Sequence, residues 1–551
     1  LNQGKTLGIF QLESGGMQDL ARQLHLDRFE EIIAVGALYR PGPMDMIPSF
    51  IQRKHGKEAI ENDHPWLKEI LQETYGIMVY QEQVMQIASK LAGFSLGEGD
   101  VLRRAMGKKD LEQMAAQREK FRLGAMRNQI SEEIAMTIFD KMEKFASYGF
   151  NKSHAAAYGY LSYVTAYMKA NHPKEWMAAL MTCSKDDLSK VAKFIRECQA
   201  LSIPVLPPDI NESGMTFQAT RHGIRFAIGG IKGIGSNVVE AIVEERQSQG
   251  PFKDLYSFCC RIDTKKVGKK NMVSLIEAGC FDYTGWTKDQ LIFVLEECFE
   301  VAIQRKKEES EGVLSLFSLL GDSTNDSFST PPVVTKPTPP LQLLFQEKAL
   351  LGFFLTGHPM DQYRSILQRL SCMPLHHVEQ CKQDTVFRSA FIVEEVQVRI
   401  SAKSQKKFAI LTISDGMEQA ELPVWPDLFE EKQLLLKENQ LLYAVLQAEW
   451  KEGECKLSCR WLDDLTKANE EMILSCDRAF DAAKQQILNR STMSNKPQVK
   501  TQVNQMKKEA PPAPPIHVQI PMEPLHLSHL LQLRQLLEQH PGPHSAILQF
   551  K

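Results

Sequence analysis

The chain has 551 residues, too many for a single hydrophobic core, and its length predicts roughly three to five domains. It is 43% hydrophobic and 24% charged, as globular proteins are, and contains no apolar run of about eighteen residues that could cross a membrane. Its net charge of −3 excludes a globally basic nucleic-acid-binding protein, so such binding would depend on local basic patches.

The cysteines and the first residues set further limits. The eleven cysteines include no C-x-x-C pair, which argues against zinc ribbons and disulfide frameworks and predicts reduced thiols in a cytoplasm. The sequence has no signal-peptide pattern and begins with Leu1, so we expect a piece of a longer chain.

Residues 1–175 alternate helical patterns with short loops. LGIFQLES (7–14) looks like a strand, and the three prolines of YRPGPMDMIPSF (39–50) predict a rigid loop. A long helical region is predicted from about 78 to 145. The pattern at 151–173 predicts a helix with Ser153 as its N-cap and an end before Pro173.

The patterns from 176 to about 300 are again mostly helical. IRFAIGGIKGIGSNVVEAIVEER (224–246) predicts a strand, a glycine turn and a helix. A polar linker is predicted at about 305–342, with the apolar island GVLSLFSLL (312–320) inside it. Such an island docks into a partner's groove or packs as a short helix on its own chain, and the residues favour neither.

From residue 386 the hydrophobic period changes to two. The predicted strands are 386–400, 407–414, 418–425, 441–449 and 455–461, with a helix at 427–438. Five strands with a helix after the third predict an OB-type barrel. A second linker (494–515) and a Leu-rich helix (527–540) follow, so the expected architecture is mainly helical, then all-β, then a small C-terminal domain.

The stretch LRRAMGKKD holds four cations around one glycine: Arg103, Arg104, Lys108 and Lys109. Two forked guanidiniums beside two ammonium groups are suited to clamp a polyphosphate. Alternatively, Asp100 pairs with Arg104 at i,i+4 on a solvated helix face. From these residues alone the ion pair is favoured, because solvated charge runs are common.

GFNKSHAAAYGY (149–160) is a second candidate site. Lys152, Ser153 and His154 stand at a predicted helix N-terminus, where anions bind well. Ser153 is interpreted as a cap rather than a nucleophile. The tyrosine stripe that follows would stack bases or pack in the core, and core packing is favoured for Tyr163; the stripe is Tyr160, Tyr163 and Tyr167.

Two glycine motifs are candidates for phosphate binding. GGIKGIG (229–235) is similar to a helix-hairpin-helix, whose glycine turn lets backbone N–H groups approach a DNA phosphate; the alternative is a tight turn without a ligand. Its glycine order is wrong for a dinucleotide fingerprint. QGKT (3–6) is similar to the end of a P-loop, but a strand-like stretch follows where a helix is required.

One loop of the predicted barrel is basic, and one catalytic motif is absent from the sequence. RISAKSQKK (399–407) lies in the first strand-to-strand loop, where OB folds touch single strands; the alternative is a soluble hairpin tip. No D-x-D occurs in the sequence, although two-metal phosphoryl transfer needs clustered carboxylates.

Seven stretches in order carry a resemblance to a known family: GIFQLES, LYRPGPM, RKHG, TYGIMVYQEQVMQIA, LRRAMGKK, YGFNKSHAAAY and LPPDIN. They closely resemble the α subunit of bacterial DNA polymerase III, a family C replicative polymerase, from Leu1 to about Asp282. The resemblance is moderate through LGFFLTGHP (351–359) and the barrel, and weak after about 466.

The resemblance implies that the polymerase fingers bind the incoming nucleotide. Arg103 and Arg104 would contact its triphosphate, assisted by Lys108 and Lys109, which overturns the interpretation favoured from the charge run alone. The other expected nucleotide-binding residues are Lys152, His154 and Gln11, with Glu13 on the same surface. The family holds Mg²⁺ on palm aspartates upstream, so no catalytic or metal-binding residue is expected within this sequence, and this piece alone is expected to be inactive.

The resemblance also implies contacts with DNA and proteins. The hairpin would grip duplex DNA through Gly230, Lys232, Gly233 and Gly235. The OB domain would lie near single-stranded template through Arg399, Lys403, Lys406 and Lys407. A sliding clamp would bind Leu314, Leu316 and Phe317, although Val313 replaces the usual glutamine. The clamp-loader τ subunit and the proofreading exonuclease subunit are further expected partners, in the cytoplasm and without a membrane.

The domain boundaries expected from the resemblance are fingers 1–175, little finger with helix-hairpin-helix 176–302, linker with the clamp-binding peptide 303–345, connector 346–385, OB domain 386–465, and linker with tail domain 466–551. Two rival functions stay open. The chain would be a non-catalytic nucleic-acid-binding protein if the fingers bind no nucleotide, or a P-loop ATPase acting on DNA if ATP hydrolysis depends on Lys5.

Overall fold

The computed structural model of the chain describes residues 1–108, 111–146, 149–311, 330–378, 384–401, 405–416, 418–451, 454–494, 516–520 and 546–550. The chain divides into two compact units, Leu1–Lys484 and Gln485–Lys551. Within the described residues, none of the helices combines the length and the apolar character needed to cross a membrane.

The first 200 residues are helical, as the sequence predicts. The helices are α1 (Gly15–Leu24), α2 (Phe29–Leu38), α3 (Ile47–Lys54), α4 (Leu67–Leu71), α5 (Gln81–Ala92), α6 (Leu96–Lys108), α7 (Leu111–Arg127), α8 (Glu132–Ala146), α9 (Lys152–Asn171), α10 (Pro173–Cys183) and α11 (Leu188–Ala200). The helical region predicted at 78–145 is confirmed as α5 to α8. The proline loop is shorter than predicted, because Pro48 stands in the first turn of α3, where no donor N–H is needed.

Two local predictions in this region are wrong. The N-cap of α9 is Asn151, whose side chain accepts the His154 N–H at 2.8 Å, and Ser153 lies inside the first turn. Asn caps as well as Ser does, and the helix therefore begins earlier. Residues 7–14 form successive turns instead of a strand, closed by bonds such as Leu12 N–H to the Ile9 carbonyl (3.0 Å). The first helix begins only at Gly15, so QGKT lacks the helix of a P-loop.

Two hydrophobic cores hold α1 to α9, whereas α10 and α11 pack into the core of the following region. One joins the N-terminal turns to α1, α2 and α3, with Ile9, Leu24 and Phe50 fully buried. The other lies among α4 to α8 around Phe121 and Phe139. Elements far apart in sequence build both cores.

Residues 205–311 form a third packed region. Its elements are β1 (Val205–Leu206), β2 (Gln218–Ala219), β3 (Ile224–Arg225), α12 (Ser236–Gln249), α13 (Leu255–Arg261), α14 (Thr264–Glu277) and α15 (Lys288–Glu311). β3 lies between β1 and β2. The predicted strand, glycine turn and helix at 224–246 are confirmed, with a short 3-10 helix at Ile228–Gly230 before α12.

An antiparallel sheet follows α16 (Pro340–Leu351) and α17 (Arg364–Arg369). Its strands are β4 (Thr385–Ile400), β5 (Lys407–Ser414), β6 (Gln419–Val424), β7 (Leu441–Lys451) and β8 (Glu454–Asp464). The five predicted strands are confirmed. The helix after the third strand is present as α18 (Pro426–Lys432) but is shorter than predicted, because a 3-10 turn at Gln433–Leu435 ends it.

The strand order is β6-β5-β4-β7-β8. An OB-type barrel is not confirmed, because the described residues form no backbone ladder between the edge strands β6 and β8 to close the sheet. Side chains alternate across β5 as the period of two predicts. Ala409, Leu411 and Ile413 are fully buried, whereas Phe408 and Ile410 stay partly exposed.

The second unit contains the end of α19 (Glu470–Ser494) and two short strands, β9 (Ile516–Ile520) and β10 (Ala546–Phe550). The two strands pair in parallel, with Ala546 opposite Ile516. The predicted Leu-rich helix at 527–540 lies outside the described residues, as do 495–515 of the second linker. The boundaries of the six predicted domains stay predictions.

Candidate nucleic-acid interface

The two arginines of α6 share one carboxylate. Arg103 Nη2 lies 2.7 Å from Asp100 Oδ1, and Arg104 Nη2 lies 2.5 Å from Asp100 Oδ2. Hydrogen bonds from Arg103 and then from Arg104 hold the pKa of Asp100 below its usual value. The i,i+4 pair considered from the sequence is therefore present, with Arg103 added at i,i+3. Solvent screens such a pair, so an incoming anion could replace Asp100.

The lysines of the same stretch are less defined. Lys108 ends α6, and its side chain lies outside the described residues, as does the whole of Lys109. Arg104 is more open than its neighbour, with 65% of its side chain exposed, against 34% for Arg103. The predicted roles of these four cations in nucleotide binding stay predictions.

Gln81 joins α6 to the loop before α9. Its Oε1 accepts a long hydrogen bond from Arg103 Nη1 at 3.5 Å, and its Nε2 donates to the Gly149 carbonyl at 3.0 Å. Its backbone N–H donates to the Phe150 carbonyl at 2.9 Å. Gln81 therefore links Arg103 of α6 to the backbone at the start of the FNKSH stretch, although the two lie about fifty residues apart in sequence.

Lys152 faces an acid-rich groove. Its Nζ lies 2.7 Å from Glu73 Oε1, and its backbone N–H donates to Glu82 Oε2 at 2.9 Å. Glu30 and Glu69 line the same groove. The structure thus gives Lys152 a carboxylate partner and does not bring it into the cavity that His154 lines.

His154 and Gln11 line one cavity of about 310 Å³ between α2, α9 and the N-terminal turns. The His154 ring lies 4.4 Å from the Tyr158 ring and 5.4 Å from the Phe150 ring. Gln11 has a left-handed backbone with φ of 59°. Strained non-glycine backbone of this kind is found more often at functional sites than elsewhere.

The turn that carries Gln11 is anchored on α9. Ser162 Oγ donates to the Phe10 carbonyl at 2.8 Å, and the Phe10 N–H donates to Thr165 Oγ1 at 3.1 Å. Glu13 Oε1 accepts the Gly8 N–H at 2.8 Å, so this carboxylate stabilises the turn.

Sequence reasoning missed Arg40 and Tyr158 in this cavity. The Arg40 guanidinium lies 4.0 Å from the centre of the Phe150 ring, and burial lowers its pKa from the usual value. The motif LYRPGPM contributed to the resemblance without assigning a role to its arginine. A single arginine between an aromatic residue and a Pro-Gly-Pro turn is the only local signal that could have indicated it.

The tyrosine stripe of α9 lies in the open. Tyr160 is 60% exposed, Tyr163 47% and Tyr167 50%, so the core interpretation of Tyr163 is wrong. The reason is the close approach of α9 to α2 along its small residues. Gly159 packs so closely on α2 that a Cβ at this position would lie 3.0 Å from the Ile33 side chain. The small residues of α9 therefore face α2, and the tyrosines lie on the side that points outward.

The hairpin at 229–235 presents an open tip. Lys232, Gly233 and Gly235 are exposed, and Gly233 has φ of 86° with open space where a Cβ would lie. Gly235 is the N-cap of α12. Gly230, by contrast, is buried close to the Phe217 and Phe226 rings. The tip can approach a phosphate through backbone N–H groups and Lys232, while Gly230 serves packing.

Some of the remaining predicted residues lie within the described part of the chain, and the others lie outside it. Arg399 Nη2 donates to Gln397 Oε1 at 2.8 Å, and Lys406 Nζ lies 3.6 Å from the exposed Asp427 carboxylate. Lys407 is exposed opposite Ile400 in the ladder. Lys403 and the clamp-binding residues Leu314, Leu316 and Phe317 lie outside the described residues, as does Val313.

A resident metal ion finds no set of ligands here. Across the described ranges, no three His, Cys, Asp or Glu side chains are grouped so that they could hold one. The carboxylates nearest the cationic helix, such as Asp100 and Glu73, are engaged with arginine or lysine.

Two family profiles match this chain. "Bacterial DNA polymerase III alpha subunit finger domain" matches residues 1–129, which include the α6 cations, Arg40 and Gln11. "Helix-hairpin-helix motif" matches residues 202–291, which include the glycine tip.

Similar proteins share one description, DNA polymerase III subunit alpha. That of Chlamydia pneumoniae is 52% identical over 558 residues, covering 100% of this chain and 45% of that protein. That of Escherichia coli K12 is 39% identical over 513 residues, covering 90% of this chain and 44% of that protein. That of Thermus aquaticus is 40% identical over 493 residues, covering 87% and 39%. The chain spans less than half the length of these relatives, and the matches confirm the family indicated by the sequence motifs.

Proposed function

The chain belongs to the family of bacterial DNA polymerase III α subunits, and on that premise we propose that it is part of a DNA-directed DNA polymerase for chromosome replication. Within that enzyme it binds the incoming deoxynucleoside triphosphate and primer–template DNA. The observation that carries the proposal is identity of 52% over the whole chain, together with Arg103, which Gln81 links to the Gly149 backbone next to Phe150 of the His154 cavity.

The cations act by orienting and neutralising charge. Arg103 and Arg104 would exchange their shared Asp100 for triphosphate oxygens, which accept forked hydrogen bonds from guanidinium groups. The same groups would offset charge on the departing pyrophosphate. Arg40, His154 and Gln11 line the adjoining cavity, where their donors would hold the nucleotide or the template.

The divalent metal ions of the proposed polymerase would be held by residues outside this chain. Mg²⁺ bound in such a polymerase would supply activation of the primer hydroxyl and neutralisation of phosphate charge. The residues described here offer no set of ligands for it. On the family resemblance, we propose that palm residues outside this sequence would hold it.

DNA and protein contacts belong to the same proposal. The open hairpin tip, with Lys232, Gly233 and Gly235, would contact duplex phosphates. The five-stranded sheet would act as an OB domain on single-stranded template through its basic loop. Leu314, Leu316 and Phe317 would dock on a sliding clamp, and the τ subunit of the clamp loader and a proofreading exonuclease would be further partners.

Primer extension with the 551-residue chain tests the proposal. The chain is mixed with Mg²⁺, primed DNA and all four deoxynucleoside triphosphates, and DNA binding is followed in parallel. We expect binding without extension, because the metal ligands are assigned elsewhere. Extension would move the catalytic carboxylates into this sequence. Absence of DNA binding would contradict the proposal.

A further inference from the structure

One face of the sheet carries a row made of a cation and two aromatic rings. Arg399 on β4 lies opposite Phe408 on β5 in the antiparallel ladder. Ala409 of β5 lies opposite Val424 of β6. The adjacent residues of these two strands, Phe408 and Trp425, are therefore neighbours on the other face. Their rings are stacked, with centroids 5.6 Å apart and planes 28° from parallel. We call Arg399, Phe408 and Trp425 the stacking row.

The row points away from the hydrophobic core. Ala409 and Val424 are fully buried on the core side, and the alternation of β-strands therefore directs Phe408 and Trp425 outward. Trp425 is 50% exposed. It precedes Pro426, the first residue of α18, and its backbone is extended with φ of −69° and ψ of 162°. The backbone that carries the ring is thus extended, and the ring stacks on Phe408 at the surface.

Basic side chains flank the two rings. Lys406 lies two residues before Phe408 and is exposed, whereas Lys407, the next residue to Phe408, pairs with Ile400 on the other face. Arg399 lies on the far side of Phe408 from Trp425. Asp427 approaches Lys406 only to 3.6 Å, and its side chain is 98% exposed. The flat faces of the two rings are therefore bordered by exposed cationic side chains, one of which lies on the neighbouring strand.

From this arrangement we infer that Phe408 and Trp425 form a stacking platform for the bases of single-stranded nucleic acid, with the backbone phosphates on Arg399 and Lys406. The inference deepens the proposed function, because it assumes that this sheet meets nucleic acid. Unpaired bases have open faces that stack on aromatic side chains, whereas the bases of a duplex already stack on each other. An apolar protein surface would require a wider apolar patch than two rings bordered by charges.

The platform predicts a dependence on bases that a purely basic loop lacks. Stacking works with every base, so the site is expected to bind strands without strict sequence preference. Phosphate contacts by the two basic side chains act equally on strands with and without bases. An abasic deoxyribose-phosphate oligomer therefore separates the contribution of the rings from that of the charges.

The test compares a dT oligomer with an abasic oligomer of the same length, binding to the whole 551-residue chain. Trp425→Leu and Phe408→Leu are the platform variants. Trp66→Leu and Phe293→Leu are matched controls, because these rings are exposed but lie elsewhere in the fold. Lys406→Ala removes a flanking charge and keeps both rings.

We expect each platform variant to weaken dT binding roughly 5- to 100-fold and to leave abasic binding unchanged. Tryptophan fluorescence should be quenched by dT in the unsubstituted chain and not in Trp425→Leu. Lys406→Ala should weaken both oligomers equally and lower the salt dependence. The two controls should bind both oligomers as the unsubstituted chain does.

Equal affinity for the dT and abasic oligomers, with no effect of either platform variant, would overturn the inference. If duplex DNA still binds in that case, the proposed function stands and only the platform fails. If neither duplex nor single strand binds, the proposed function fails as well. Normal circular dichroism and an unchanged unfolding midpoint in each variant exclude misfolding as the cause of lost binding.

Discussion

The α6–α9 region and the five-stranded sheet present basic groups to solvent in different ways. In the helical region, the candidate cations are paired with carboxylates that belong to other turns or other helices, as Arg104 is with Asp100 and Lys152 with Glu73. In the sheet, Arg399 and Phe408 are neighbours because the strand ladder makes them so. The helical site combines a local carboxylate, Asp100, with a contact from a distant element, Glu73, whereas the site on the sheet is arranged by the ladder of neighbouring strands.

This difference has a consequence for how each site responds to its ligand. Paired arginines must leave a carboxylate before they can hold a phosphate, so binding is an exchange of partners. The two rings of the stacking row have no carboxylate to leave, and they meet a base directly. Substitutions in the helical site should therefore act through long-range structure and ion-pair balance, whereas those in the sheet should act on the face they occupy.

The largest expected effect comes from breaking the anchor of the helical region. Lys169 is 6% exposed, its Nζ lies 2.5 Å from Glu197 Oε1, and it donates to the carbonyls of Lys5 (3.0 Å) and Leu7 (2.7 Å). Lys169→Ala leaves Glu197 nearly buried without its partner. We expect a loss of about 3–5 kcal/mol in the free energy of unfolding, measured by urea denaturation.

Lys190→Ala is the matched control for that substitution, because Lys190 is 64% exposed and pairs with Asp187 at 3.4 Å. Its free energy of unfolding should change by less than about 0.5 kcal/mol. Equal effects of the two substitutions would mean that the N-terminal turns do not depend on Lys169.

An intermediate effect is expected at the exchangeable arginine. In the intact polymerase, Arg104→Ala removes the proposed triphosphate donor and is expected to lower kcat/KM for the nucleotide on the order of 10- to 100-fold. Steady-state primer extension measures it, with Arg118→Ala as control, since Arg118 also pairs with carboxylates (Glu143 at 3.2 Å) but lies on α7. Unchanged kinetics in Arg104→Ala would remove this residue from the site.

The smallest effect is expected from a histidine beside the sheet. Burial lowers the pKa of His358 below its usual 6.5, while Asp361 and Asp415 partly oppose this and Lys348 adds to it. The folded state therefore favours neutral His358. Its stabilising contribution is complete above pH 6.5, the unfolded value, and is lost as the pH falls toward the lowered folded pKa.

His358→Asn should flatten this dependence, because Asn keeps an acceptor for the Met360 N–H, which His358 Nδ1 accepts at 3.3 Å, and does not titrate. Urea midpoints at pH 7 and pH 5 measure the slope. His222→Asn, at an exposed position, should leave the slope as it is. A steeper loss of stability between these two pH values in His358→Asn would contradict the lowered pKa of His358.

The periodic patterns were sufficient for the strands and for most helices. The period of two in 386–461 predicted all five strands, and the buried Leu411 and Ile413 lie on the face it indicates. It did not determine closure of a barrel, which depends on how β6 and β8 meet and not on either strand alone. Nor did it distinguish the turns of 7–14 from a strand, because their backbone is set by anchoring on α9.

By itself the sequence determined the family, the order of helices and strands, and which residues carry charge at α6 and at 399–407, because motifs and periodicity are local properties. Only the tertiary structure decided which partners, distant in sequence, the charged side chains contact. It separated Lys152 from His154, brought Arg40 over Phe150, and linked Arg103 to the α9 loop through Gln81. Each of these contacts joins residues more than twenty positions apart, and such contacts follow from packing of the whole region rather than from the neighbouring sequence.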